Sequence, residues 1–145
     1  MPSIARSALV SHSAAEMYAL VCDIESYPQF LPWCDSASVS EQSDTYQVAT
    51  VVVDRRLRGI QFTTRNTLEA DEAIHLSLVN GPFKRLSGIW KFQAISEDAC
   101  KVELQMDFEF SSKVLGVVLG PAFAKICDSM VQAFVRRADQ IHKRQ

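Results

Sequence analysis

The most informative segment of this 145-residue chain is Ser112–Lys143, SKVLGVVLGPAFAKICDSMVQAFVRRADQIHK. Leu119, Phe123, Ile126, Cys127, Met130, Phe134, Ala138 and Ile141 recur at steps of three and four, with Lys125, Asp128, Gln132, Arg136, Asp139 and Gln140 between them. That period predicts one long amphipathic helix with one wet face. Ser111 and Ser112 carry hydroxyls suited to capping its start. Gly120-Pro121 predicts a kink, or a break into a short first piece and a long second one. A helix of this kind is stabilised mainly by burial, at roughly 1.5–3 kcal/mol per large apolar side chain, so it must lie on a broad apolar surface.

The preceding residues supply that surface. Ser3–Val10 reads as a strand that ends at Ser11-His12-Ser13. Ser13-Ala14-Ala15-Glu16 is a capping box, and Met17, Leu20, Val21 and Ile24 continue at helical spacing, so a short helix follows and ends near Cys22 or Asp23. Tyr27-Pro28-Gln29-Phe30-Leu31-Pro32-Trp33-Cys34 cannot hold a long helix because of its prolines. Its aromatic side chains need cover, either as a plug at one end of the core or as a lid over a cavity mouth.

From Ser36 to Phe110 the period becomes two. A short strand around Val39 is followed by Tyr46–Val53, which ends at Asp54-Arg55-Arg56. Ile60, Phe62, Thr64, Asn66 and Leu68 share one face of the next strand, and Ile74, Leu76 and Leu78 one face of the strand after it. Asn80-Gly81-Pro82 is the strongest breaker, and Leu86–Ile95 beyond it carries Trp90 and Phe92 on one side. Val102, Leu104, Met106, Phe108 and Phe110 then alternate with Lys101, Glu103, Gln105, Asp107 and Glu109. Short connections imply antiparallel neighbours, and one apolar face per strand implies a sheet covered on one side. The class is α+β: a curved antiparallel sheet of about seven strands wrapped around the C-terminal helix, with an apolar cavity expected where one helix fills a deep sheet incompletely.

An apolar content of 48% suits a single domain over residues 1–145. A formal charge of -2 argues against a dedicated nucleic-acid binder, and no DNA partner is expected. Cys22, Cys34, Cys100 and Cys127 show neither zinc-site nor redox spacing and read as reduced structural thiols; no metal is expected. No signal peptide and no segment long enough to cross a bilayer is read, so a soluble cytoplasmic protein is expected.

Ser26-Tyr27-Pro28-Gln29-Phe30-Leu31-Pro32, Phe62-Thr63-Thr64-Arg65-Asn66, Leu78-Val79-Asn80-Gly81-Pro82-Phe83-Lys84, Trp90-Lys91-Phe92, Asp107-Phe108-Glu109-Phe110 and Met130-Val131-Gln132-Ala133-Phe134 occur in that order. Together they resemble the ribosome-association toxin and coenzyme-Q-binding family of the START-like (polyketide cyclase/dehydrase) superfamily, over nearly the whole chain. The resemblance implies the helix-grip fold. It also implies binding of ubiquinone or another isoprenoid lipid and, in the toxin branch, binding to the large ribosomal subunit that blocks subunit joining. Pro121 departs from the less interrupted helix expected in that branch.

Three functions are weighed. A non-enzymatic carrier needs only a dry cavity, for which the candidates are Phe62, Leu76, Leu78, Trp90, Phe92, Leu104, Met106 and Phe108 on the sheet and Phe123, Cys127 and Met130 on the helix. Phe30, Leu31, Trp33 and Phe83 are the expected gate, and transient membrane contact would serve ligand exchange. Asn66, on the apolar face of its strand, is the candidate to bond a quinone carbonyl. A ribosome-binding factor would use Arg55, Arg56 and Arg58, Lys84 and Arg85, and Arg136, Arg137, Lys143 and Arg144 on rRNA phosphates. A cyclase would need ionisable groups facing the cavity, and the inward faces carry almost none, with His12, His75 and His142 far apart in sequence. No catalytic residue is assigned and no cofactor is required.

Overall fold

The computed structural model describes residues 3–53 and 60–142. Ser13 Oγ accepts from Glu16 N while Glu16 Oε1 accepts from Ser13 N, completing the capping box that starts α1, Ala14–Cys22. A 3₁₀ helix, Ile24–Gln29, absorbs Pro28, and Tyr27 Oη donates to Val21 O, tying the proline segment back to α1.

The strands are β1 Ser3–Val10, β2 Cys34–Gln42, β3 Tyr46–Val53, β4 Gln61–Glu69, β5 Ala73–Asn80, β6 Phe83–Ser96 and β7 Ala99–Phe110. They form one antiparallel sheet in the order β1-β7-β6-β5-β4-β3-β2. The chain leaves β1 at one edge, and α1 with the 3₁₀ helix carries it to β2 at the other. β2 is longer than the short strand read around Val39, because pairing with β3 extends it through register shifts at Cys34/Ser36 and Val39/Glu41. Such irregularities strengthen local twist, and the sheet curls. Gly81 makes the turn between β5 and β6 at φ 155°, where an added Cβ would stand 2.8 Å from Phe62 Cβ.

α2, Lys113–Ile141, is capped by Ser112 Oγ accepting from Leu115 N at 3.1 Å. It packs on β1, β7 and α1. The break expected at Gly120-Pro121 does not form: the helix runs continuously through both residues. Pro121 is exposed, so the Val117 carbonyl that loses its intrahelical partner faces water. The expectation that no segment could cross a bilayer is also overturned, since α2 is long and apolar enough by length and composition. Its apolar stripe is nevertheless occupied by the sheet: Leu119, Phe123, Cys127, Val131, Phe134 and Ala138 are buried. Ile141, read as part of that stripe, is 49% exposed as the last helical residue.

Phe134 is fully buried and meets Tyr27, Phe30 and Trp90 edge-on at 5.2–5.3 Å between centroids. It joins the helix to the proline segment and the sheet at once. Phe134→Ala is expected to cost about 3–5 kcal/mol in urea denaturation. A loss below about 1 kcal/mol would show that this junction does not hold the helix down.

Candidate functional site: an apolar cavity with a polar pole

Strand register lays one row of inward residues across five strands. Gln47 on β3 faces Asn66 on β4, Asn66 faces Leu76 on β5, Leu76 faces Gly88 on β6, and Gly88 faces Met106 on β7. At Gly88 the row lacks a side chain, and Met106 Sδ occupies the space a Cβ would need. Above this row lies a cavity of about 70 Å³, closed on the helix side by Phe123, Ile126, Cys127 and Met130. The row is polar at the β3/β4 end and apolar at the β7 end.

Both ends of the space under α2 are sealed by aromatic rings. At one end Phe123 meets Phe62, Phe83, Phe108 and Phe110 at 4.8–5.9 Å between centroids. At the other, Phe134 holds Tyr27 and Phe30. Trp33 lines the cavity and also lines an outer groove of about 360 Å³ with Phe30, Pro32, Ser129, Arg136 and Arg137, so one indole separates inside from outside.

Of the residues read from sequence, Trp33, Phe62, Asn66, Leu76, Trp90, Leu104, Met106, Phe123, Cys127 and Met130 line the cavity. Phe30, Leu31, Leu78, Phe83, Phe92 and Phe108 are not among its walls. Phe83 and Phe108 are spent in the aromatic seal, Phe30 packs on Phe134, and Phe92 stacks beside Trp90 with near-parallel rings. Leu31 is buried at 1% exposure in the core, and Leu78 stands only partly buried near the end of β5. Alternation assigns a face but not a depth along the strand, which is why Leu78, Phe92 and Phe108, read as walls, fall outside the lining; Phe30, Leu31 and Phe83 are expected as the gate and not as walls. Sequence reading missed Val21, Ile24 and Tyr27 on the α1 side, Gln47, Ala49, Val51 and Thr64 on β3 and β4, and Ile74, Leu86 and Ile126. For Gln47 the signal was present: it shares a strand face with Ala49 and Val51.

The polar pole consists of three buried side chains. Thr64 Oγ1 donates to Asn66 Oδ1 at 2.7 Å, and Gln47 Nε2 donates to Cys22 O at 2.9 Å and to Gln42 Oε1 at 3.1 Å. Among the described lining residues the titratable ones are Tyr27 and Cys127. Burial raises the pKa of the Tyr27 phenol and pushes the Cys127 thiol up to about 12, so both are neutral at physiological pH.

The cationic candidates divide. Arg55, Arg56, Arg58, Lys143 and Arg144 lie outside the described residues. Lys84 and Arg85 approach Glu109 at 3.9 and 3.3 Å, and Lys84 shares a depression with Lys113 at the start of α2. Arg137 Nη2 donates to Gln29 Oε1 at 2.9 Å beside the exposed Arg136. About 35 Å of helix separates Lys113 from Arg136 at about 1.5 Å per residue, so the two clusters do not merge. Two of the three histidines, in contrast, do not stay apart as sequence order suggests, while His75 pairs with Glu69. His12 and His142 have centroids 5.9 Å apart, with His12 Nε2 2.7 Å from Asp139 Oδ1 and His142 Nδ1 3.2 Å from Glu16 Oε2. Neither histidine lines the cavity.

A curved antiparallel sheet gripping a C-terminal helix over an apolar cavity defines the START-like, helix-grip class. The chain belongs to the polyketide cyclase / dehydrase and lipid transport family, whose model matches residues 10–135. It is 47% identical over 142 residues to the ribosome association toxin RatA of Vibrio cholerae, covering 98% of this chain and 99% of that one. The mitochondrial coenzyme Q-binding protein coq10 of Schizosaccharomyces pombe is 24% identical over 142 residues, covering 94% and 87%. Among solved structures, a START superfamily protein from Mycobacterium smegmatis superposes with a TM-score of 0.80 at 18% identity, over 96% of this chain and 98% of that one. The Zhui aromatase/cyclase from Streptomyces sp. R1128 does so with 0.75 at 19%, over 96% and 94%. The resemblance read from six short motifs is therefore borne out as family membership and as fold.

The Cys127 shift has a stability consequence. The unfolded chain releases this thiol proton near 9.0, whereas the folded chain keeps it to about 12. The contribution is therefore complete below pH 9.0 and lost as pH rises through about 12. Thermal stability should fall across that window, and Cys127→Ala should flatten the fall. An unchanged slope in the variant would show that burial of this thiol does not couple to folding.

Proposed function

We propose that this chain is a non-enzymatic, cytoplasmic, single-domain carrier of an apolar ligand, held between sheet and α2, with an isoprenoid quinone such as ubiquinone as the best-fitting class. The observation that carries the reading is a cavity apolar on most sides and polar at one pole, which suits a ring with oxygen substituents on an apolar tail. The kinship with a coenzyme Q-binding protein supports it. At about 70 Å³ the cavity is well below the roughly 300–1,000 Å³ of sites that enclose whole ligands. Loading therefore requires its movable walls, Met106, Met130 and Trp33, to give way, and a tail leaves past Trp33 into the outer groove. Exposed Val114, Val117 and Val118 on the first turns of α2, with Lys113 beside them, offer a surface for brief bilayer contact during exchange. Cyclase chemistry is disfavoured, because the lining offers a neutral phenol and a neutral thiol in place of a poised acid and base.

Trp33 and Trp90 both line the cavity and are the two tryptophans of the chain. Short-chain ubiquinone should therefore quench most of the intrinsic fluorescence in a saturable way, and Trp33→Ala should speed ligand exchange. Linear, unsaturable quenching, together with an empty protein in native mass spectrometry after gentle purification, would defeat the carrier reading.

A second reading, association with the large ribosomal subunit that blocks subunit joining, is favoured by one observation: 47% identity over nearly full length to a ribosome association toxin. The two roles are compatible in one chain. Phosphate contacts would come from Arg136 and Arg137 or from Lys84 and Arg85, and binding should weaken steeply with salt. Overproduction should deplete joined ribosomes in sucrose gradients, and an unchanged profile would count against it.

A further inference from the structure

The polar pole contains an unmet demand. Gln47 is 3% exposed and lines the cavity, and its Oε1 is buried with no hydrogen-bond partner among the described residues. Its orientation is fixed from behind: Nε2 donates to Cys22 O, a backbone carbonyl that only accepts, so the amide cannot be reversed without setting oxygen against oxygen. Asn66, directly across the β3/β4 pair and 4% exposed, spends its Oδ1 on Thr64 Oγ1. The donor that Asn66 still offers is its NH₂. Adjacent positions in one row thus present an acceptor beside a donor.

We propose that Gln47 and Asn66 form a hydroxyl-recognition pair that selects the reduced, hydroquinone form of an aromatic ligand over the quinone. The inference rests on the carrier reading above and specifies which form that carrier holds. A hydroquinone O–H donates to Gln47 Oε1, while the same oxygen accepts from Asn66 Nδ2. A quinone carbonyl only accepts: it can satisfy Asn66, but it leaves Gln47 Oε1 unpaired or brings two lone pairs together. A buried acceptor left without a partner is penalised far more than a made hydrogen bond is rewarded, so the pair discriminates by about ten- to a hundredfold. The protein transfers no electron or proton in this scheme; it binds one of two forms interconverted elsewhere. A tenfold preference raises the midpoint potential of the bound two-electron couple by about 30 mV.

The test is calorimetric titration of the full chain under argon with ubiquinone-1 and with ubiquinol-1 pre-reduced by borohydride. The expected result is at least tenfold tighter binding of the quinol, with the ratio falling towards one in Gln47→Met. Equal affinities in the unsubstituted protein overturn the inference and leave the carrier reading standing; binding of neither form overturns both. The ratio measured on the unsubstituted protein decides the matter even if Gln47→Met fails to fold, because that variant also loses the bond to Cys22.

Discussion

The structure depends on one packing constraint: a single helix must cover a sheet that is wider and more curved than the helix itself. α2 is buried along one stripe from Leu119 to Ala138, and aromatic clusters hold that stripe at two points. Phe123 is held by a ring of phenylalanines at one end, and Phe134 by Tyr27, Phe30 and Trp90 at the other. Between them the helix presents Ile126, Cys127 and Met130 to a sheet surface that falls away beneath, and the cavity is the remainder. Close packing elsewhere makes this void a position-specific feature instead of general looseness.

That arrangement explains why the fold was legible in the sequence and the site only in part. Strand alternation and helical spacing each report a face, and every inward face was read correctly from β4 to β7. The capping box at Ser13 and Glu16 was legible for the same reason, since both partners lie within one turn. Whether an inward residue seals or lines depends on its level along the strand relative to the helix anchors, which is set by register between distant segments. Phe108 and Met106 sit two positions apart on one face of β7, yet one supports Phe123 and the other walls the cavity. Gln47 shares a strand face with Ala49 and Val51, and the β3/β4 register places it opposite Asn66. The meeting of His12 with Asp139 and His142 was invisible, since the partners lie at opposite ends of the chain.

Pro121 shows a local rule overridden by context. A proline inside a helix removes a hydrogen bond and crowds the preceding turn, yet α2 passes through it. The exposed side of the helix tolerates the loss because water replaces the missing donor, while Leu119 and Phe123 on the buried side keep the register. The family relationship supplies the class, and the register supplies the site. Neither follows from the other, since this chain matches a named toxin in sequence and shares its fold with a named aromatase/cyclase.

A void with an unpaired oxygen at its wall has a thermodynamic consequence for turnover. The empty protein carries a penalty that any well-matched occupant removes, so by mass action occupied copies unfold less often than vacant ones. Proteases and chaperones act on the opened fraction, and vacant copies would be cleared first. The abundance of this chain in a cell would then track the supply of whatever fills it, without a dedicated sensor or signalling partner.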